Sequence, residues 1–415
     1  LLAGDSSLQE AMGGYVRAWF ESMSGFTTTG ATVIDPRTSP VCHAGVTDCI
    51  NAQSKTILLW RSFSQWLGGM GIIMLGMLMF SRILGGGMSI ARAELTGPSL
   101  ARLKPRIEET ARVLWLIYIL MTLAEFLLLL FIGDLGWFDS INHAMTTLPS
   151  GGFSTYDDGI MHFDSAAVEW IIIMFMVMTG VNFSLYHFIW VGEWRKAISD
   201  QELRVYLSLL FLAGSAMALN LIMSQGWFAG DSFRHAAFQV ASIGTSTGYA
   251  SADFAMWPTL SQIILLFLMI VGACAGSTSG GLKILRLRVA YHLAKREVSR
   301  IAQPRKIHLV RMNDEVVDDG KLWMIVGMLS WWAVLAMTCT LGMAISEPNM
   351  DLETVLAAVV ACLGNTGPAL GSLGPTQTWA SLNWFSLIMS SILMWLGRLE
   401  LLTVIVLLTP KVWRK

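Results

Sequence analysis

The sequence predicts an all-α polytopic membrane protein made of four pseudo-symmetric helix–loop–helix repeats. Three observations predict it: apolar runs long enough to span a bilayer, charge segregated between alternate connecting segments, and a glycine turn that recurs four times. Of the 415 residues 54% are hydrophobic and only 14% charged, and the mean hydropathy is +0.57. A soluble domain is usually about 25% charged, so that class is excluded. The apolar content excludes disorder, and a formal net charge of −1 argues against a nucleic-acid surface. The 38 Gly, 25 Met and 17 Trp suit closely packed membrane helices.

Apolar runs able to cross about 30 Å of hydrocarbon fall at 56–84, 111–133, 166–192, 203–225, 259–274 (continuing irregularly to 300), 321–345 and 380–409. No basic segment precedes a short apolar core, so none is a cleavable signal peptide. The chain opens Leu1-Leu2 without Met, and further membrane segments are expected before residue 1. The segments 82–112, 193–204, 283–321 and 411–415 hold 22 of the 28 Lys and Arg, which places them on the cytoplasmic side. The opposite face carries 15 carboxylates and a net charge of −10, against +11 inside. Such an acidic outer face concentrates cations.

Each outer segment is too polar to span, yet holds a moderately apolar stretch ending in a glycine turn. Aligned on that turn they read Glu21-Ser-Met-Ser-Gly-Phe-Thr-Thr-Thr-Gly30-Ala-Thr, His143-Ala-Met-Thr-Thr-Leu-Pro-Ser-Gly-Gly152-Phe-Ser, Gln239-Val-Ala-Ser-Ile-Gly-Thr-Ser-Thr-Gly248-Tyr-Ala and Ala358-Val-Val-Ala-Cys-Leu-Gly-Asn-Thr-Gly367-Pro-Ala. Asp139-Ser140, Asp231-Ser232 and Asp351 stand where helix N-caps are expected. A short re-entrant helix starting there aims the negative end of its dipole at the membrane interior. The turn then returns outward as irregular backbone, which is tolerated at that depth only inside protein or along a wet cavity. Glycine permits positive φ and close approach. Four such turns around one central pore would form rings of carbonyls able to replace an ion's hydration shell. The ion-binding positions are Thr28, Thr29, Gly30 and Ala31; Ser150, Gly151, Gly152 and Phe153; Ser246, Thr247, Gly248 and Tyr249; and Asn365, Thr366, Gly367 and Pro368. The repeats are bounded at 1–85 (lacking its first helix), 111–192, 203–300 and 321–410, with cytoplasmic loops at 86–110 and 301–320.

The fifth span is interrupted by Gly272-Ala-Cys-Ala-Gly276-Ser-Thr-Ser-Gly280-Gly281. Three readings compete: a small-residue helix-packing stripe at Gly272, Gly276 and Gly280, a phosphate loop, and an unwound loop crossing beneath the filter. Leu282 stands where a phosphate loop needs Lys. With four Gly and three Ser/Thr (Ser277, Thr278 and Ser279) and no large apolar side chain, the stretch is a poor helix, which favours the loop. Arg398 lies inside the last span and is costly unless it faces a cavity or a partner. It is read either as pairing with Glu400 or snorkelling inward, or as a positive charge in the pore against the carbonyls of 272–281. Glu125, in the second span, is read as a structural group in preference to a proton relay. Cys42 and Cys49 lie in an outer loop where an oxidising compartment can join them. His43 beside them is too little for a zinc site.

The span–pore helix–span pattern, four times over, resembles the Trk/Ktr/HKT superfamily of potassium transporters, and Gly25-Phe-Thr-Thr-Thr-Gly-Ala-Thr32, Leu148-Pro-Ser-Gly-Gly-Phe-Ser-Thr155, Thr245-Ser-Thr-Gly-Tyr-Ala250 and Leu363-Gly-Asn-Thr-Gly-Pro-Ala369 resemble its bacterial TrkH type. The resemblance runs from residue 10 onward. It implies potassium-selective uptake across the bacterial inner membrane, with potassium as the only cofactor. It also implies an intramembrane gate at Gly272, Gly276, Ser277, Thr278, Gly280 and Gly281 with Arg398, a homodimer, and docking of a cytosolic ring of nucleotide-binding regulatory subunits (TrkA-like). A proton- or sodium-coupled symporter is the alternative. A membrane enzyme or sensor is disfavoured, because no catalytic motif or His/Asp/Glu cluster lies in the spans.

Overall fold

The computed structural model describes residues 8–42, 46–83, 107–190, 192–303, 305, 310–312, 315–317 and 319–399. The segment before residue 8, His43, Glu400, most of the expected loop at 86–110 and the end of the last span lie outside the described residues, as does part of 301–320. The described chain is helical: α1 Leu8–Phe26, α2 Lys55–Ile83, α3 Ile107–Phe131, α4 Trp137–Thr147, α5 Ala166–Thr179, α6 Phe183–Trp190, α7 Trp194–Ser199, α8 Gln201–Gln225, α9 Ala229–Gly244, α10 Thr259–Val271, α11 Ile284–Ala302, α12 Asp319–Ser346, α13 Leu352–Gly364 and α14 Trp384–Arg398. A two-residue antiparallel pair, Arg311–Met312 with Glu315–Val316, closes the turn before α12.

Helices α1, α4, α9 and α13 are the short elements that lead into the four glycine turns, and α3, α8 and α12 are the outer helices of repeats 2 to 4. These three are long and apolar enough to cross a bilayer unaided. Side-chain caps start several elements: Ser165 accepts from Val168 N–H, Asp200 from Leu203 N–H and Asn383 from Ser386 N–H. Asp139 and Asp231, expected as caps, instead lie inside the first turns of α4 and α9; the cap positions belong to Gly136 and Phe228. Those carboxylates still face the positive end of the helix, and Asp139 accepts from Thr155 Oγ1 at 2.7 Å. Asp351 holds the cap position of α13 without a side-chain cap bond.

The expected span 166–192 is two helices, α5 and α6, bent by 93°. The break falls at Gly180, where a Cβ would meet the Tyr206 hydroxyl. The Gly180 carbonyl accepts from Cys274 N–H, and the Gly276 carbonyl accepts from Phe183 N–H. The chain turns there because the segment after α10 occupies the depth that a straight helix would need. At about 1.5 Å per residue, the 14 residues of α5 and 13 of α10 reach only about two-thirds of the way across. Both end at the interrupted segment, where Gly180 and Cys274 are hydrogen-bonded.

One apolar core gathers around α9, α10 and α13, with Val240, Met269, Ala358 and Leu363 buried; a second gathers around α3 and α5, with Tyr118, Ile172 and Met176. Inner helices approach the short helices through glycine. A Cβ on Gly68 would fall on the Phe26 carbonyl, and one on Gly397 on the Leu363 carbonyl, four residues before the anchor glycine in both repeats. Backbone cannot yield as a side-chain tip does. Gly68→Ala and Gly397→Ala are each expected to destabilise by about 1–3 kcal/mol. Gly327→Ala, with nothing within 4 Å of its Cβ, should be neutral. Thermal unfolding in detergent tests this, and equal melting points would refute the close approach.

Candidate functional site

The four turns share one backbone geometry. The residues two before the anchor glycines, Thr28, Ser150, Ser246 and Asn365, have φ of 53°, 57°, 55° and 52°; Gly30, Gly152, Gly248 and Gly367 have 84°, 79°, 84° and 93°. In each turn the N–H before the glycine reaches back five residues: Thr29 to Ser24 O, Gly151 to Thr146 O, Thr247 to Ser242 O and Thr366 to Ala361 O, at 2.8–2.9 Å. This is a helix C-cap with a left-handed residue, used four times. It satisfies carbonyls at the end of each short helix and turns the chain back outward.

The turns close on one another. A Cβ on Gly30 would fall on the Gly151 carbonyl oxygen, one on Gly152 on that of Thr247, one on Gly248 on that of Thr366, and one on Gly367 on that of Thr29. The order runs from repeat 1 through 2, 3 and 4 back to 1. Each glycine therefore lies against the carbonyl that precedes its neighbour's glycine. The cycle brings all sixteen sequence-predicted turn residues into one ring, with Ala31, Phe153 and Tyr249 buried. Tyr249 links turn 3 to turn 2: its hydroxyl bonds Thr146 Oγ1 and lies 3.5 Å from the Phe153 carbonyl. Trp379 N–H donates to Thr32 O at 2.9 Å, joining repeat 4 to repeat 1.

Above the ring is a cavity of about 290 Å³ lined by the four anchor glycines and by Asp35, Asp157 and Asp158. Asp157 accepts from Cys49 N–H at 2.6 Å and Ile50 N–H at 2.8 Å, holding the loop in which Cys42 and Cys49 are joined. Burial raises the Asp157 carboxyl above its ordinary value, the two N–H groups oppose this, and Asp48 and Asp158 add to the rise. Arg61 sits under the rim, paired with Glu21 at 2.9 Å, donating to Ser154 O at 3.2 Å and lying 4.1 Å from the centre of the Phe153 ring. Arg61 and Glu21 thus neutralise each other inside the protein, although both counted toward the outer charge.

Below the ring, residues 272–283 are irregular backbone. Gly272, Gly276 and Gly281 have φ of 67°, 74° and 77°, so the helix-packing reading of these glycines does not hold. Ser277, Thr278, Ser279 and Gly280 are buried. The Thr278 hydroxyl bonds Ser150 Oγ at 3.1 Å and the Leu148 carbonyl at 3.0 Å, and Gly280 N–H donates to Ser246 Oγ at 2.5 Å. Turns 2 and 3 therefore touch the loop through the hydroxyls at their left-handed residues. Thr28 Oγ1 and Asn365 Oδ1, the matching atoms of turns 1 and 4, are buried without a hydrogen-bond partner among the described residues. Arg398 donates to Thr278 O at 2.7 Å and Gly69 O at 3.3 Å; Glu400 lies outside the described residues. Lys283, counted with the cytoplasmic charges, is buried and donates to Ser279 O.

Sequence reasoning missed two residues. Glu202 accepts from Ala275 N–H at 2.7 Å and Leu285 N–H at 3.1 Å, holding both ends of the loop. Its signal was a carboxylate two residues past a helix cap at an apolar boundary. Gln65 donates to Gly151 O at 2.7 Å and accepts from Phe153 N–H at 3.2 Å; its signal was a lone amide within an apolar span. Glu125 is fully buried on α3, its carboxyl oxygens without a hydrogen-bond partner among the described residues.

A family model described as TrkH, cation transport protein, matches residues 3–415. The Trk system potassium uptake protein TrkH of Halomonas elongata is 37% identical over 401 residues, and that of Escherichia coli K12 is 36% identical over 413. Each match covers 96% of this chain and 79% of the relative. The crystal structure of the potassium transporter TrkH from Vibrio parahaemolyticus superposes with a TM-score of 0.81 at 33% identity, covering 96% of this chain and 79% of that one.

Removing the Glu202 acceptor orphans two buried donors, at about 1–3 kcal/mol each. Glu202→Ala is expected to speed amide hydrogen exchange across 272–285, while Glu202→Gln, which keeps an acceptor, should preserve protection. Unchanged exchange in the alanine variant would remove Glu202 as the loop's anchor.

Proposed function

Since the chain belongs to the TrkH family of cation transport proteins, a family of multi-pass membrane transporters and not of enzymes, we propose that it takes up potassium across the bacterial inner membrane. The filter is the ring of four turns. The observation that carries this reading is the closed cycle of glycine against neighbouring carbonyl, which brings oxygens from four repeats together beneath an acidic vestibule. Carbonyl oxygens stand in for the hydration shell as the ion enters. Asp35, Asp157 and Asp158 draw cations to the mouth.

The loop 272–283 is the gate. It carries the Thr278 and Gly280 contacts to turns 2 and 3, and Arg398 ties it to Gly69 on α2. A guanidinium in that position opposes cation passage directly and also anchors the loop that blocks it. Opening requires both Arg398 hydrogen bonds to be exchanged for water or other partners. Potassium is the transported ion, and no organic cofactor is required. The basic helix α11, continuous with the gate through Ile284, is the route by which a cytosolic nucleotide-binding regulatory ring would act on it, in a homodimeric assembly. Proton- or sodium-coupled symport, for which only buried Glu125 speaks, is distinguished by a reversal potential that departs from the potassium Nernst value.

Two variants in proteoliposomes test the assignment. A side chain at residue 30 must displace the Gly151 carbonyl, so Gly30→Ser is expected to lower potassium-over-sodium selectivity by about tenfold, the value of one mispositioned hydrogen-bonding group. If selectivity and flux both stayed at wild-type levels, the ring would not be the filter. Arg398→Ala removes the charge and two hydrogen bonds, and higher cation flux is expected. Flux equal to wild type would sink the gate assignment.

A further inference from the structure

We infer that Gln65 is a positioning residue for ion selectivity, bracing the second filter turn from the neighbouring repeat in place of a side chain that this turn lacks. The inference rests on the filter reading above and adds a residue to it.

The turns differ at the position before the anchor glycine. Repeats 1, 3 and 4 have Thr29, Thr247 and Thr366; repeat 2 has Gly151. In repeats 1 and 3 the threonine hydroxyl is tied to the end of its own short helix, Thr29 Oγ1 to Thr27 Oγ1 at 2.9 Å and Thr247 Oγ1 to Thr245 Oγ1 at 2.8 Å. Gly151 has nothing to offer such a bond. A Cβ built on it would instead run into the amide of Gln65, meeting Oε1, Cδ and Nε2 together. The amide fills the volume that a threonine side chain takes elsewhere.

Register within the repeats makes the substitution systematic. Gln65 lies three residues before Gly68 on α2. Gly397 matches Gly68, since each meets the carbonyl four residues before its own anchor glycine, and Gly180 matches Gly69, since each meets the hydroxyl of the next repeat's tyrosine, Tyr206 or Tyr118. The position of Gln65 is therefore Met394 in repeat 4 and Met176 in repeat 2. Inner helices lean on the next repeat's turn: Gly180 faces Thr245 Cγ2, Gly364 faces Met269 O, and Gly69 faces Pro149. A methionine on the inner helix therefore accompanies the threonine turns of repeats 3 and 1, and glutamine accompanies the glycine turn of repeat 2. Gln65 is fully buried, and it spans the anchor glycine. Its Nε2 donates to the carbonyl of Gly151 and its Oε1 accepts from the N–H of Phe153. One planar amide thus fixes the peptide groups on both sides of Gly152. The Gly151 oxygen is also the one packed against Gly30, so the brace reaches the contact between turns 1 and 2.

The test exchanges one pairing for the other. Gln65→Val in proteoliposomes is expected to reduce potassium-over-sodium selectivity by about tenfold, as expected for losing a hydrogen bond that fixes a carbonyl. Gly151→Thr alone should impair folding or selectivity, because its side chain overlaps the Gln65 amide. The double variant Gln65→Val with Gly151→Thr gives repeat 2 an apolar residue beside a threonine turn, as in repeats 1 and 3, and should recover selectivity toward wild type. Recovery of monodispersity and melting temperature in the double variant reads the same complementarity if either single variant fails to fold. Wild-type selectivity in a folded Gln65→Val protein, or a double variant no better than Gly151→Thr, overturns the proposal. Gly30→Ser separates the two readings: if it alters selectivity while Gln65→Val does not, the brace is wrong and the filter stands. If both are silent, the filter assignment itself fails.

Discussion

Everything in this molecule depends on four glycines lying against four carbonyl oxygens in a closed cycle. No side chain fits at any of the four positions, because each Cβ would land on the backbone of the next repeat. Backbone groups held at membrane depth have no water to fall back on, so they must be satisfied within the protein. The five-residue C-cap bonds meet part of that demand and the ring supplies the rest of the close packing. The outer helices and apolar cores hold the repeats at the distance the ring requires, and Arg61 with Ser154 and Tyr249 with Thr146 tie adjacent turns from behind.

Beneath the ring the same constraint is met by different means. The segment 272–283 has no regular ladder, yet its N–H and carbonyl groups find partners one at a time: Glu202, Gly180, Phe183, Ser246 and Arg398. Those partners come from α8, from the α5–α6 break, from turn 3 and from α14. A loop held by single bonds to several separate elements can be released in steps, unlike a helix that melts as a unit. That difference suits a movable element beside a rigid one.

Much of this was legible in the sequence because it is written in residue types with strong local consequences. Glycine at register positions marked the turns, and four glycines with three hydroxyl residues (Ser277, Thr278 and Ser279) marked the irregular segment. Arg398 stood out because a charge in an apolar span demands a partner. The rest depends on contacts between residues far apart in sequence. The left-handed backbone of Thr28, Ser150, Ser246 and Asn365 is imposed by tertiary packing, since threonine and serine have no preference for it. The bend at Gly180 follows from a loop ninety residues later occupying the space, so an unbroken apolar run read as one span. Asp139 and Asp231 look like caps by composition, but the backbone begins its helices earlier. Gln65 and Glu202 carry only weak local signatures, because their partners lie 73 to 88 residues away along the chain.

The four turns are alike in backbone and unlike in side chain, and all belong to one polypeptide. In a ring of identical subunits any substitution is repeated at every position, so the ring changes in a single large step. Here a substitution touches one quarter of the ring. Thr29, Gly151, Thr247 and Thr366 can diverge separately, each adjusted against its own neighbour on the adjoining inner helix. Covalent fusion of the repeats therefore converts a symmetric device into one that can be tuned one position at a time.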